Sequence, residues 1–182
     1  TRAVAQEIRQ AGGEAASTTG DLEHDEQAWQ VAREAQEAFG GIDILVNNAG
    51  LLIRDDNPDW TTVPSSDWLR SFNVNVVSAV RLAQKLAPPM IERGWGRVIN
   101  VSSVASIRVP KDISLAAYSV TKAGVNALTQ AIAQQYAARG IRCNAILPGL
   151  IETPMISSMS EAYSEGDYAR MIEMRNWPIS KP

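Results

Sequence analysis

Apolar positions along the chain change their spacing several times, and each change marks an element. Residues 1–11 read as the end of a helix stopped by Gly12 and Gly13. Residues 14–18 fit a short strand. From Asp25 to Phe39, Ala28, Val31, Ala32, Ala35, Ala38 and Phe39 recur at helical spacing, and Gly40 and Gly41 end the run. Residues 42–46 form a short apolar stretch of the kind buried in a parallel sheet. A polar loop with proline leads to a long helix predicted over 66–93. Its buried face is marked by Trp68, Leu69, Phe72, Val76, Ala79, Val80, Ala83, Leu86 and Ala87. Pro88 and Pro89 are expected to kink or break it, since proline removes a helical donor and crowds the preceding turn. After Gly94, Trp95 and Gly96 comes a strand at 97–101, then a helix over 115–139 capped by Gly140, then a strand at 141–146. Past Pro148 and Gly149, helical patches continue to the end.

Strands and helices thus alternate with short connections, which predicts an α/β fold built on a doubly wound parallel sheet, Rossmann-like, in a single domain over 1–182. In such sheets ligands bind beyond the carboxyl ends of the strands. Three strands deliver Asn47, Asn48, Ala49 and Gly50, then Ser102 and Ser103, then Pro148 and Gly149 to that edge. The glycines at 40–41, 94–96 and 140, with Trp95, fall at the opposite edge and read as turn chemistry.

Composition narrows the function. The 182 residues carry 17 Lys and Arg against 20 Asp and Glu, a net charge of -3, with no basic stripe for nucleic acid and no run apolar enough to span a membrane. One cysteine, Cys143, excludes an intrachain disulfide framework and fits a reducing, cytoplasmic setting. One histidine, His24, lies in an acidic stretch at a helix start. It leaves no multi-histidine metal site, and no metal is expected.

The chemistry lies in Tyr118 and Lys122, one helical turn apart. A phenol has a pKa of about 10, and a neighbouring cation favours its ionised form. A lysine four residues on can therefore tune a tyrosine for acid/base work, although the same spacing also suits a solvated helix face. Asn47 to Gly50 let a backbone approach a ligand or form a plain turn. Ser103, just past a strand, can donate to a carbonyl or alcohol oxygen or cap a helix. Asn75 sits mid-helix, where asparagine is disfavoured, and is either solvated or employed.

Together these segments resemble the short-chain dehydrogenase/reductase family: Gly20, Asp21 and Leu22; Asn47 to Gly50; Asn73, Val74 and Asn75; Asn100 to Ser103; Tyr118 to Lys122; and Pro148 to Thr153. They fall in the family's order across nearly the whole chain. The resemblance is closest to the branch where an Asn-Asn-Ala-Gly turn and a Pro-Gly turn accompany the Tyr/Lys pair. It implies hydride transfer between NAD or NADP and an alcohol or ketone. Tyr118 would be the acid/base, and Lys122 would lower its pKa and bind the nicotinamide ribose. Ser103 would polarise the substrate carbonyl, with Ser102 the fallback, and Asn75 would hold a relay water. Asp21 and Leu22 would meet the adenine end, with Asn48, Ala49 and Gly50 along its ribose and Asn47 bracing the sheet. Pro148, Gly149, Ile151 and Thr153 would frame the nicotinamide.

Two departures bear on this. The family's glycine-rich pyrophosphate turn and its last strand have no counterpart here, so the chain is expected to be a fragment. The loop between Ser103 and Tyr118 is longer than usual, so counting back from Tyr118 points near Ala105, which has no hydroxyl. Residues 154–178, with Met155, Met159, Tyr163, Tyr168, Met171 and Trp177, read as a substrate lid or as helix faces packed on the core. The helix at 115–139 is apolar nearly all round. One side packs on the sheet, and the other suits a homodimer or homotetramer, or cover by the neighbouring long helix. The rival readings are a catalytically silent dinucleotide-binding relative and a nucleotide-sugar epimerase or dehydratase.

Overall fold

The structure, a computed structural model, describes residues 2–53, 60–108, 115–149 and 151. The chain divides into two compact units, Thr1–Leu147 and Pro148–Pro182. In the first unit the order is α1 (Arg2–Gln10), α2 (Asp25–Phe39), β1 (Ile44–Asn47), α3 (Ser65–Phe72), a π-helical turn (Asn73–Val77), α4 (Ser78–Arg93), β2 (Gly96–Val101), α5 (Ala116–Tyr136) and β3 (Ile141–Ile146). The strands form one parallel sheet in the order β1-β2-β3, with Ile44 opposite Arg97 and Gly96 opposite Ile141. This is the Rossmann-like parallel α/β sheet that the alternating pattern predicts.

Strand alternation decides which side is core. Leu45, Val98, Ile141 and Cys143 point one way and cluster with Ala32 of α2 and Ala83, Leu86 and Met90 of α4. Ile132, Ala133 and Tyr136 of α5 pack against the same cluster. Hence α2, α4 and α5 cover one face, while Ile44, Val46 and Ile146 on the other face are each 53% exposed. Two turns close tightly at the amino edge: a Cβ on Gly140 would lie 1.7 Å from the Gly94 carbonyl oxygen, so position 140 admits only glycine.

The structure departs from the pattern in three places. Residues 14–18 form no strand; no ladder partner lies beside them among the described residues, and side chains hold them instead, Arg9 Nε donating to the Ala15 carbonyl and Thr18 Oγ1 to Glu34. Pro88 and Pro89 do not end their helix, which runs on to Arg93. Leu86 and Met90, on either side of the pair, are 4% and 0% exposed, and this anchorage offsets the two lost helical bonds. The interruption falls earlier, at the π turn, where the Ser78 N–H bonds the Asn73 carbonyl five residues back. Along α5, Ser119, Thr121, Lys122, Val125 and Thr129 are buried, whereas Val120, Ala123, Ala127 and Ala131 are exposed. The segment proposed as a lid lies outside the described residues.

Candidate active site

Parallel strands place their carboxyl ends together, so the segments after β1 and β2 share one edge. Matching register sets Asn47 opposite Asn100, and Asn47 Nδ2 donates to Asn100 Oδ1 at 2.8 Å. Asn100 Nδ2 in turn donates to Thr129 Oγ1 on α5 at 2.9 Å, which ties the sheet to that helix. Two further bonds pin α5 to the end of β2: Lys122 Nζ donates to the Val101 carbonyl at 2.8 Å, and Ser102 Oγ donates to the Lys122 carbonyl at 2.9 Å. Ser102 is thus buried, with its hydroxyl proton given to backbone.

Ser103 is the hydroxyl beside the phenol. Its backbone is extended (φ -164°, ψ 153°), it heads the 3-10 turn Val104–Ser106, and its Oγ accepts the Ala105 N–H at 3.1 Å. The Ser103 side chain is close enough to the Tyr118 phenol to lower its pKa. Ala105, the position reached by counting, is buried within that turn.

The electrostatics differ from the simple expectation. Burial holds the Tyr118 phenol above its ordinary value, and the Ser103 bond pulls it back down. Lys122 Nζ lies 5.6 Å from the Tyr118 ring centroid and donates one of its hydrogens to the Val101 carbonyl. Burial also lowers the Lys122 pKa, since an ammonium out of water is disfavoured.

Asn75 projects from the π turn and is 3% exposed. Its Oδ1 accepts the Leu51 N–H at 2.6 Å, while Nδ2 donates to the Leu51 carbonyl and to Thr121 Oγ1, each at 2.9 Å. The residue is employed, as a strap between the loop after β1 and α5. Both amide protons are committed, so a relay water is left only a lone pair on Oδ1. Gly50 lies within this strap: a Cβ there would meet Lys122 Nζ at 3.3 Å and Asn75 Oδ1 at 3.5 Å. Thr121, which sequence reasoning missed, carries the signal of a hydroxyl just before Lys122.

A hollow beside the edge is lined by Leu22, Asn48, Ala49, Asn75 and Val101, among others. Asp21 Oδ1 accepts the Glu23 N–H at 2.9 Å, and Arg81 of α4 pairs with Asp25 and donates to the Leu22 carbonyl at 3.2 Å, fixing this turn. Pro148, Gly149 and Ile151 belong to the second unit, Ile151 being 43% exposed; Thr153 lies outside the described residues. Cys143 takes no part: it is a core residue whose thiol burial pushes up to about 11.

The family profile described as short chain dehydrogenase matches residues 1–164, and the chain belongs to that family. It is 39% identical over 150 residues to a 7alpha-hydroxysteroid dehydrogenase of Clostridium sardiniense, covering 82% of this chain and 56% of the relative. It is 37% identical over 163 residues to an acetoacetyl-CoA reductase of Allochromatium vinosum, covering 87% of this chain and 64% of the relative. The chain thus spans less than two thirds of either. Among solved structures, a gluconate 5-dehydrogenase from Burkholderia cenocepacia in complex with NADP and tartrate superposes with a TM-score of 0.79 at 30% identity, over 90% of this chain and 62% of that one. An NAD+-bound xylitol dehydrogenase gives 0.75 at 31% identity, over 86% and 60%.

Proposed function

We propose that this chain carries the catalytic centre of an oxidoreductase that moves a hydride between NAD or NADP and the carbonyl/alcohol pair of a small-molecule substrate. One observation carries the reading: the Lys122 ammonium lies 5.6 Å from the Tyr118 ring, with Ser103 near enough to lower the phenol's pKa, at the carboxyl edge of a parallel sheet. The residues fit a dinucleotide. Leu22, Asn48 and Ala49 line the hollow, and Gly50 lets a backbone run against Lys122 with no side chain between.

The nicotinamide supplies the hydride acceptor or donor. In oxidation the Tyr118 phenolate takes the hydroxyl proton as the carbinol hydrogen leaves with its electron pair, and the alcohol becomes a ketone. In reduction the neutral phenol returns a proton to the carbonyl oxygen. Ser103 hydrogen-bonds that oxygen, Lys122 stabilises the phenolate and holds the cofactor's ribose, and Asn75 keeps Gly50, Leu51 and Thr121 in place around them. Pro148, Gly149, Ile151 and Thr153 frame the nicotinamide in this reading, with 154–178 the lid. The exposed stripe of Val120, Ala123, Ala127 and Ala131 supports a homodimer or homotetramer, and a lone buried thiol suits the cytoplasm. The relatives' hydroxysteroid and acetoacetyl-CoA substrates and the neighbours' sugar substrates share a secondary alcohol or ketone, the class proposed here.

The test is turnover of the purified protein with NAD(H) and NADP(H) against a panel of ketones and secondary alcohols. Tyr118→Phe is expected to fold normally and lose about 10²- to 10⁴-fold in kcat, the range for a lost general acid/base. Retained turnover in that variant removes Tyr118 from the chemistry. Cofactor binding with no turnover on any substrate would favour the silent relative, and net oxidation of NAD(P)H by a simple ketone would count against an epimerase.

A further inference from the structure

Helix α5 carries a third polar side chain at the same spacing. Tyr118, Lys122 and Asn126 follow one another every fourth residue, so they stand on one face, Asn126 about 12 Å along the axis from the tyrosine. Asn126 Nδ2 donates to Ser106 Oγ at 2.8 Å, and Ser106 Oγ donates to the Ser103 carbonyl at 2.5 Å. The Ser106 N–H bonds the same carbonyl at 3.0 Å. Because the Ser106 proton is committed to Ser103, its oxygen is left to accept, and the amide must present its N–H side. The chain of bonds therefore has one direction, from α5 through Ser106 to the backbone of Ser103.

We propose that Asn126 is a positioning residue that acts through Ser106 to hold Ser103 in register with Tyr118. Ser103 and Tyr118 stand on different elements, and their meeting needs a fixed distance between the 3-10 turn and α5. Within the turn, bonds run to itself: Ala105 N–H to Ser103 Oγ, Ile107 N–H to the Val104 carbonyl. Besides the Ser103–Tyr118 contact, Asn126 to Ser106 is the side-chain bond among the described residues that joins this turn to the helix. The residue is costly to place: Asn126 Oδ1 is buried with no hydrogen-bond partner, which an apolar side chain would avoid. An amide kept there points to use of its donor.

The inference rests on the acid/base role proposed for Tyr118, but its test does not need turnover. Phenol ionisation at position 118 is read by ultraviolet titration as the difference between the protein and Tyr118→Phe. Lys122 of α5 and Ser103 of the turn are the groups set against the phenol; Gly50 and Asn75, which approach the pair from the loop after β1 and the π turn, do not titrate. Asn126→Ala is expected to raise the phenol's pKa above the parent's, because a displaced Ser103 no longer supports the phenolate. Ser106→Ala should do the same, and the double variant should shift no further than either alone. Where turnover is measurable, kcat should fall about tenfold with the cofactor KM unchanged. Folded single variants whose phenol titrates as in the parent, or a double variant whose shift is the sum of the two, would overturn the proposal. Should Asn126→Ala fail to fold, Ser106→Ala cuts the same link and its titration decides alone. An enzyme inactive on every substrate with the expected phenol shift would reject the proposed reaction and leave the positioning role standing.

Discussion

The Tyr118 hydroxyl is pulled in two directions by two neighbours of different kinds. Taking a phenol out of water disfavours its charge, and the serine beside it favours that charge by hydrogen bonding. Burial is the larger influence, so near neutrality the phenol keeps its proton, the form that can protonate a carbonyl. Carbonyl reduction should accordingly hold steady across neutral pH and decline only as the phenol ionises above its ordinary value of about 10, while alcohol oxidation climbs over that interval. Ser103→Ala should move both profiles to higher pH, since it removes the influence that lowers the phenol; kcat measured against pH in each direction checks this, and unmoved profiles would separate Ser103 from Tyr118. None of this balance was legible in the sequence. The spacing of Tyr118 and Lys122 does set them on one helix face, but spacing carries no depth. Only the fold shows that the lysine reaches back to Val101 and that the serine is a partner lowering the phenol's pKa.

At the scale of elements, alternation and turn glycines located most of the fold. Residues 25–39, 42–46, 97–101 and 141–146 fall on observed helix or strands within two residues. What the pattern missed is hydrogen bonding that leaves no periodic trace. A π turn adds one residue to a helical repeat and reads as a continuous helix, yet it turns Asn75 inward between the loop and α5. A short segment between turns such as 14–18 can be read as a strand until a partner is required. Close packing between elements gives a paired prediction. A Cβ at Gly124 would meet Val76 Cγ2 at 3.4 Å, ordinary contact, so Gly124→Ala should raise stability by about 0.5–1 kcal/mol through helix propensity. A Cβ at Gly96 would lie 2.7 Å from Met90 Cβ and Sδ and 2.9 Å from Ile141, so Gly96→Ala should cost about 1–3 kcal/mol. Urea unfolding midpoints of the two variants, moving in opposite directions, are the check.

At the scale of the whole first unit, the proposed catalytic groups and the core share supports. Asn100 reaches from the middle strand to Thr129 and Cys143, Ser102 and Lys122 exchange bonds with each other's elements, and Asn75 joins two helices to a loop. The six motif segments were legible because each is short and local. The couplings between them were not, since they join residues 20 to 53 positions apart in the sequence. One coupling reaches a peptide group that would otherwise be expected to exchange freely. The Leu51 N–H lies in an irregular loop, yet Asn75 Oδ1 receives it at 2.6 Å from inside the helical layer. Its hydrogen should trade with deuterium as slowly as those of β2, and Asn75→Ala should quicken that trade by orders of magnitude while leaving strand amides slow. An amide that reports on the proposed catalytic centre from within the loop makes isotope exchange at a single position a gauge of whether that arrangement is assembled.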